Sequence, residues 1–342
     1  MIPLRRLSSA RRVALRVLYL APHAPAPGVA PPPAIHPEFG VQAAYQYEIW
    51  DLIRNGLGLD VESRSDLAEL PEAFEGRNYV FTIYNIAPFR NSEVYVSALA
   101  AAAGIACLGA PPNIRALIED KWLTKLAAQA LGLPTPSGTV FSPGVPVRAP
   151  AFDGPYIAKP RFGAASMGID SHSAHADFDV LAARVAELET STDECLVEQV
   201  FGDCDVTVPI LVGDDGPVAL PPARQTIDSA YGIFTHRHKR RLIPGLARDF
   251  PDDESWLAPI VEDALRFVRA MTPFDYIRCD FRFGPAGHAL LECNLACSIG
   301  SEMAFAQSAA TVGIPLDALV EHILATSLDR QWGVGVDAPP AR

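Results

Sequence analysis

Residues 275–298 read "DYIRCDFRFGPAGHALLECNLACS". Two apolar-rich runs flank Gly-Pro-Ala-Gly, the composition of a hairpin turn between paired strands. Side chains two apart on a strand share a face, so Arg278 goes with Asp280 and, on the return strand, Glu292 goes with Asn294. If the register brings those faces together, three oxygen-bearing side chains converge beside an arginine. Asp, Glu and Asn oxygens are the ligands that Mg2+ takes, commonly with phosphate oxygens completing the shell. A solvated edge hairpin also carries polar residues at alternate positions. Against that reading, Glu292 sits inside the apolar run "ALLECN", where an unpaired carboxylate is costly. Cys293 and Cys297 stand next to these residues, but no histidines lie at ligand spacing, so buried thiols are expected rather than zinc.

Residues 156–171, "YIAKPRFGAASMGIDS", end an apolar run in Lys159-Pro160 and then give up side-chain bulk. Backbone N–H groups close on an anion only where side chains are small, and a lysine neutralises it. A plain hairpin turning at Gly163 and Gly168 is the alternative. In "CLVEQVFGDCD" (195–205) a strand enters what looks like a crossing between domains. With Glu198 and Val200 there, such a crossing can give an adenine ring backbone partners and an apolar wall, and an acid such as Asp205 can hold ribose hydroxyls. A solvated acidic turn is the competing reading. Lys121 in "IEDKWLTK" is either a solvated helix lysine or a phosphate contact. The run "THRHKRR" (235–241) is either a solvated basic loop or an anion-contacting lid.

Outward from these stretches, 342 residues imply two or three domains. A formal net charge of −12 argues against nucleic acid and anionic membrane as partners. Six scattered cysteines without CxxC spacing suit reduced thiols in a cytoplasmic chain. The basic, acid-free start "MIPLRRLSSARR" reads as a short disordered extension. Strand-like "RRVALRVLYLAPH", helix-like "VQAAYQYEIWDLIRNGLG", "YVFTIYN" as second strand, "SEVYVSALAAAAG" and "IACLGA" alternate, which implies a parallel sheet with helical crossovers. A proline-rich loop, "APAPGVAPPPAIHPEFG", interrupts them. Farther on, "PVALPPARQTI" reads as one strand, paired with "CDVTVPILVG" across Asp214-Asp215-Gly216.

In order, "EDKWLTKLAAQALGLPTPSG", "IAKPRFGAASMGI", "LVEQVFGDCDVTV" and "RCDFRFGPAGHALLECN" resemble the ATP-grasp superfamily, and within it the D-alanine–D-alanine ligase-like carboxylate–amine ligases. The resemblance covers about residues 113–295 in motif and the N-terminal unit in architecture. It implies an α/β and α+β chain: an N-terminal parallel α/β (pre-ATP-grasp) domain over 13–112, a central ATP-grasp subdomain with phosphate lid over 113–201, and a C-terminal subdomain with metal site over 202–330. Lys121 and Lys159 would contact ATP phosphates, with Gly163, Ala165, Ser166 and Met167 as the lid. Glu198, Gln199, Val200 and Phe201 would form the adenine hinge, and Asp205 the ribose contact. Asp280, Glu292 and Asn294 would bind Mg2+ (Mn2+ as the alternative), while Arg278, with Lys159, would steady the transferred phosphoryl group. The implied reaction is ATP-dependent, ADP-forming amide or peptide bond formation through an acyl phosphate. Small carboxylate and amine substrates, and a homodimer, are the partners expected. A carboxylase, a small-molecule kinase or a non-catalytic nucleotide binder are the alternatives on the same fold.

Three stretches depart from the family: "TIYNIAPFRNSE", "HPEFGVQAAYQY" and "NLACSIGSEMAF". All fall on substrate contacts, so the expected substrate is amino-acid-like, other than D-Ala, and longer or more acidic. Arg237, Lys239, Arg240 and Arg241 are the candidate anion contacts, since an arginine fork can bind both carboxylate oxygens.

Overall fold

Every side chain from Val17 to Leu20 is buried, which an apolar run achieves as the central strand of a sheet covered on both faces. The computed structural model describes residues 2–340 apart from 69, 85–91, 193, 243 and 252–254, so most of "TIYNIAPFRNSE" lies outside the described residues. Strand β1 (Arg16–Leu20) pairs with β2 (Asp60–Arg64) and β3 (Tyr79–Thr82), and β4 (Ala106–Cys107) follows β3, all parallel. Helices α1 (Ser9–Ala14), α2 (Gln42–Asp51), α3 (Leu70–Ala73) and α4 (Ser92–Ala102) lie along this stretch. The parallel sheet is the expected one, but Tyr79–Thr82 is its third strand in sequence, not its second. The sequence DVESR of β2 occupies a sheet edge and is nowhere fully buried, so it carries no apolar run to read.

Residues 2–12 overturn the expectation of a disordered extension. Ser8 caps α1 by accepting from the Arg11 N–H at 3.0 Å. Arg5 and Arg11 pair with Asp329 at 3.1 and 2.7 Å, Arg6 and Arg12 pair with Glu321, and the Leu7 N–H donates to Glu321 at 3.0 Å. The acids that balance this basic start lie some 310 residues away in sequence, so no local reading finds them.

The second sheet follows α5 (Pro112–Glu119) and α6 (Lys121–Ala130), the latter capped by Asp120, which accepts from Trp122 and Leu123 N–H at 2.9 and 3.1 Å. Its strands β5 (Gly138–Phe141), β6 (Tyr156–Pro160), β7 (Ala174–His175) and β8 (Cys195–Gln199) are antiparallel in the order β5-β8-β6-β7. Helix α7 (Phe178–Thr192) covers one face, packing Phe178, Leu181, Val185 and Leu188 on Phe141, Ala158, Cys195 and Val197. The alternate residues, Ile157 and Lys159, are left for the other face.

The third sheet is antiparallel: β9 (Cys204–Gly213), β10 (Gly216–Ala219), β11 (Ala223–Ile227), β12 (Leu246–Asp249), β13 (Tyr276–Gly284) and β14 (Gly287–Asn294), in the order β12-β11-β9-β13-β14 with β10 also on β9. "PVALPPARQTI" is thus two strands, because Pro221-Pro222 interrupts them with two residues that cannot donate to a ladder. The basic run contains the one-turn helix α8 (His236–Lys239) rather than loop alone. Helix α9 (Leu257–Ala270) packs its apolar stripe on this sheet. Helices α10 (Ala304–Thr311) and α11 (Leu316–Trp332) complete the chain, and α11 joins the core of the first sheet. Among the described residues no single helix is long and apolar enough to cross a membrane.

Where β8 hands over to β9, the chain crosses β13 at glycine contacts. A Cβ on Gly202 (φ 55°) would lie 2.2 Å from the Phe283 carbonyl oxygen, and one on Gly284 would lie 2.6 Å from Gly202 Cα. That close crossing sets the second sheet over the third and leaves a cleft between them.

Candidate active site

The floor of the cleft is the β13–β14 hairpin. Its register sets Arg278 opposite Asn294 and Asp280 opposite Glu292, so the four side chains share a face as the spacing predicts. Arg278 donates to Asp280 Oδ2 from Nη2 (2.7 Å) and Nε (3.1 Å), and Asn294 Nδ2 donates to the same oxygen at 3.0 Å. Thr207 Oγ1 donates to Asp280 Oδ1 at 2.8 Å and itself accepts from Gln225 Nε2 at 2.9 Å. Burial alone would raise Asp280, but the Arg278 guanidinium, Lys239 and the Thr207 hydroxyl together outweigh it and hold the carboxyl below its usual range. The same pairing outweighs burial at Arg278 and lifts it above the ordinary arginine value.

Glu292 differs. Its carboxylate has no hydrogen bond among the described residues and only Lys121 Nζ as an ion partner, at 4.0 Å. A bulge between Asp280 and Phe281 leaves Leu291 as the extra residue, so Leu291 and Glu292 both line the cleft. Cys279 and Cys293 point the other way, into the core, with their sulfurs 3.1 Å apart. Among the described residues no cluster of three or more His, Cys, Asp or Glu forms. The candidate donor set is therefore two carboxylates and the Asn294 amide, one carboxylate lacking a hydrogen-bond partner. Those hard oxygens fit Mg2+ or Mn2+.

Lys121, Lys159, Gly163, Ser166, Met167, Glu198, Gln199, Val200, Phe201, Asp205, Asp280 and Glu292 line one cleft, as the sequence predicts of a shared site. Ala165 lines an adjoining cavity with Arg278 and Asn294. Lys159 pairs with the buried carboxylate of Glu198, which also binds Lys125 Nζ at 2.8 Å. Burial opposes the charge on Glu198, but the two lysines outweigh it and bring its pKa down to about 2. Its carboxylate thus anchors lysines at the cleft wall. Within the expected hinge, the Val200 N–H already donates to Pro155 O (2.7 Å), and Phe201 O accepts from Arg282 Nε (2.8 Å). Asp205 accepts from Arg282 Nη1 at 2.9 Å.

The segment 163–168 arches over this cleft. Ala165 and Ser166 both adopt φ 54°, a left-handed pair that bulky side chains disfavour. Lys121 Nζ donates to the Gly163 carbonyl, and His236 holds the arch by Nδ1 to Ala165 O (2.9 Å) and its N–H to Ile169 O (3.2 Å). The basic run therefore clasps the arch. Of its residues, Lys239 lines both cavities and Arg241 the second, whereas Arg237 and Arg240 line neither. Arg240 instead abuts the proline-rich loop: a Cβ on Gly40 (φ 57°) would lie 2.1 Å from the Arg240 carbonyl oxygen.

Several residues escaped the sequence reading. Lys125 is fully buried beneath Lys159, four residues after Lys121 on α6, and i,i+4 spacing was the available signal. Arg282 continues the 278, 280 alternation and makes five hydrogen bonds, to Phe201, Gly202, Asp205, Tyr231 and Gly232, locking the crossing. Ile233 and Phe234 add apolar wall. The second cavity gathers Val41, Gln42, Cys297, Ser298, Glu302 and Met303 with Gln225 and Arg248. It thus unites "FGVQ" and "ACSIGSEM", two of the three stretches that depart from the family.

No family model matches the chain. It is 29% identical over 230 residues to a D-alanine–D-alanine ligase of Actinobacillus pleuropneumoniae serotype 5b, covering 66% of this chain and 73% of that protein. With a D-alanine–D-alanine ligase of Syntrophotalea carbinolica it shares 28% over 209 residues, covering 61% and 66%. Its fold superposes on the crystal structure of D-alanine–D-alanine ligase from Bacillus anthracis complexed with ATP, with TM-score 0.71, 16% identity and coverage of 93% and 98%. VanG D-Ala:D-Ser ligase from Enterococcus faecalis follows at TM-score 0.66 and 13% identity, over 92% and 99%. In sequence this chain resembles the D-alanine–D-alanine ligases, and it shares their ATP-grasp fold.

Proposed function

We propose that this ATP-dependent, ADP-forming C–N ligase joins an amino-acid-like carboxylate, other than D-Ala, to an amine. The observation that carries the substrate reading is the pair of adjoining cavities. They share Ala164, Ser166, Phe234, Lys239 and Glu292, and the second is lined by the residues that depart from the family. In this reading Lys121, Lys159 and the 163–168 arch bind the phosphates, while the 199–201 segment with Ile233 and Phe234 encloses the base. Asp205 takes the ribose, burial lifting its pKa above the usual value without removing its acceptor oxygens. Asp280, Glu292 and Asn294 would hold Mg2+, which would supply charge neutralisation at the phosphate oxygens.

The carboxylate oxygen of the first substrate attacks the γ-phosphorus, the bond to the β-phosphate oxygen breaks, and ADP leaves. Arg278, at the border of the second cavity, offsets charge on the transferring group. The amine nitrogen then attacks the acyl carbon, phosphate departs, and the nitrogen gives up a proton. Because acyl phosphates hydrolyse, the clasp of His236 on the arch must hold water out between the two steps.

The test is an ADP-release screen of candidate acids with hydroxylamine as the amine, which traps an acyl phosphate as a hydroxamate. Hydroxamate from an acid other than D-Ala, at a kcat/KM well above that for D-Ala, is expected. Efficient D-Ala–D-Ala formation overturns the substrate half. No ADP release with any acid overturns the ligase reading.

A further inference from the structure

The second cavity is lined by four cationic side chains, Lys239, Arg241, Arg248 and Arg278, against two acids, Glu292 and Glu302. Most of that charge is answered within the protein. Arg278 pairs with Asp280 at 2.7 Å and Arg241 with Glu302 at 3.0 Å, while Lys239 Nζ stands 5.3 Å over the Phe234 ring. Arg248 is different. Its Nη1 donates to the Gln307 amide oxygen (2.8 Å) and the Glu302 carbonyl (3.0 Å), and its Nη2 to the Gln225 amide oxygen (3.2 Å). All three acceptors are neutral, and its buried Nε has no hydrogen-bond partner among the described residues. Burial, with the Arg241 and Arg278 guanidiniums nearby, outweighs the Glu302 carboxylate, itself paired with Arg241, and pushes Arg248 down to about 10. A guanidinium fixed by neutral acceptors, with no carboxylate of its own in contact among the described residues, stores an unmet demand for an anion.

A second feature points the same way. Met303 and Ala304, which open α10, line this cavity, and the first N–H groups of a helix have no acceptor of their own. Arg248 reaches α10 through Gln307, so the guanidinium and the helix start border one space.

We propose that Arg248 is the specificity-determining group of the second cavity, and that it selects a substrate carrying a carboxylate beyond the one that is activated. The assignment of this cavity to substrate rests on the ligase reading above. Arginine suits the task because its planar fork pairs with both oxygens of a carboxylate, while a carboxamide offers one acceptor and brings a donor against a donor.

The test compares acids with their amides on the full chain, with ADP and Mg2+ present. Glutamate and glutamine, and aspartate and asparagine, each in both hands, are titrated by calorimetry against wild type, Arg248→Gln and Gln307→Glu. At least one acid should bind wild type ten-fold or more tighter than its amide. Arg248→Gln should bind that pair equally. Gln307→Glu places a carboxylate beside Nη1 and answers the charge internally, so it should lose acid affinity while its melting temperature and ADP affinity hold. Equal or absent binding of every pair by wild type overturns the inference. So does a preference that survives Arg248→Gln, or a matching loss of ADP affinity in that variant. If the screen finds no ADP release but the Arg248-dependent preference stands, the ligase reading fails and this one does not.

Discussion

The two cavities share most of their charge pairing and differ at one guanidinium. In the first cleft Lys159 meets Glu198 and Arg282 meets Asp205, and in the second Arg278 meets Asp280 and Arg241 meets Glu302. In the second cavity Arg248 meets only neutral oxygens. Internal pairing fixes the orientation of the paired groups, because a buried ion left alone would turn away or neutralise. A cavity with an unanswered guanidinium instead leaves part of its electrostatic balance to its ligand. The contrast teaches that the first cleft balances Lys159 and Arg282 from within, while the second leaves Arg248 to whatever enters it.

Four changes test that contrast, beginning with the largest effect. Glu292→Gln keeps shape and removes a cleft carboxylate that has no hydrogen-bond partner among the described residues. Mg2+-dependent ADP formation should fall by roughly 100- to 1,000-fold, since a catalytic metal supplies several kcal/mol. The melting temperature should barely move, because only Lys121 at 4.0 Å faces it. A collapsed melting temperature, together with a wild type indifferent to chelator, would make Glu292 structural.

Lys159→Ala comes next. A charge-assisted contact is worth about 1.5–3 kcal/mol, so ATP affinity or turnover should drop roughly 10- to 150-fold. Lys125 remains on Glu198, so the fold should survive; unchanged ATP binding would remove Lys159 from the phosphate site.

Lys125→Met separates the second lysine from the first. Lys125 is absent from the cleft lining, so its loss should spare ATP affinity and appear instead in acid stability. The Glu198 carboxyl moves from an ordinary 4.5 to about 2 in the folded chain. Between those values the unfolded chain binds more protons. The stabilisation is therefore complete above 4.5 and lost as pH falls toward 2. Without Lys125 the folded value rises, and the acid unfolding transition should move to higher pH in melts taken from pH 5 to pH 2. An unmoved transition would mean that Lys159 alone balances Glu198.

The smallest effect concerns the clasp. His236→Ala removes the hydrogen bond to the Ala165 carbonyl, worth about 1 kcal/mol. Unproductive ATP hydrolysis should rise about five-fold relative to hydroxamate formation, and an unchanged ratio would leave the arch closed by other means.

What could be read without coordinates follows from local periodicity. The hairpin is a case in point: a short turn fixes register, and period-two alternation then fixes which side chains share a face. Arg278, Asp280, Glu292 and Asn294 therefore come together as their spacing predicts. The small-residue stretch after Lys159 was legible too, since only short side chains fit the left-handed pair at Ala165 and Ser166.

Other features depended on contacts between segments remote in sequence. Residues 2–12 look like an unstructured basic tail until α11 brings Glu321 and Asp329 to them. The bulge that turns Leu291 into the cleft is a one-residue slip with no compositional mark. Arg248 lies at an edge strand in a basic stretch and becomes singular only when Gln225 and Gln307 converge on it from β11 and α10. The sequence by itself determined the apolar buried strands, the hairpin face and the class of ligand its oxygens suit, because those depend on neighbours two to four residues away. The tertiary structure alone decided which charges are answered inside the chain and which are not, because a carboxylate's partner is chosen by distance in space.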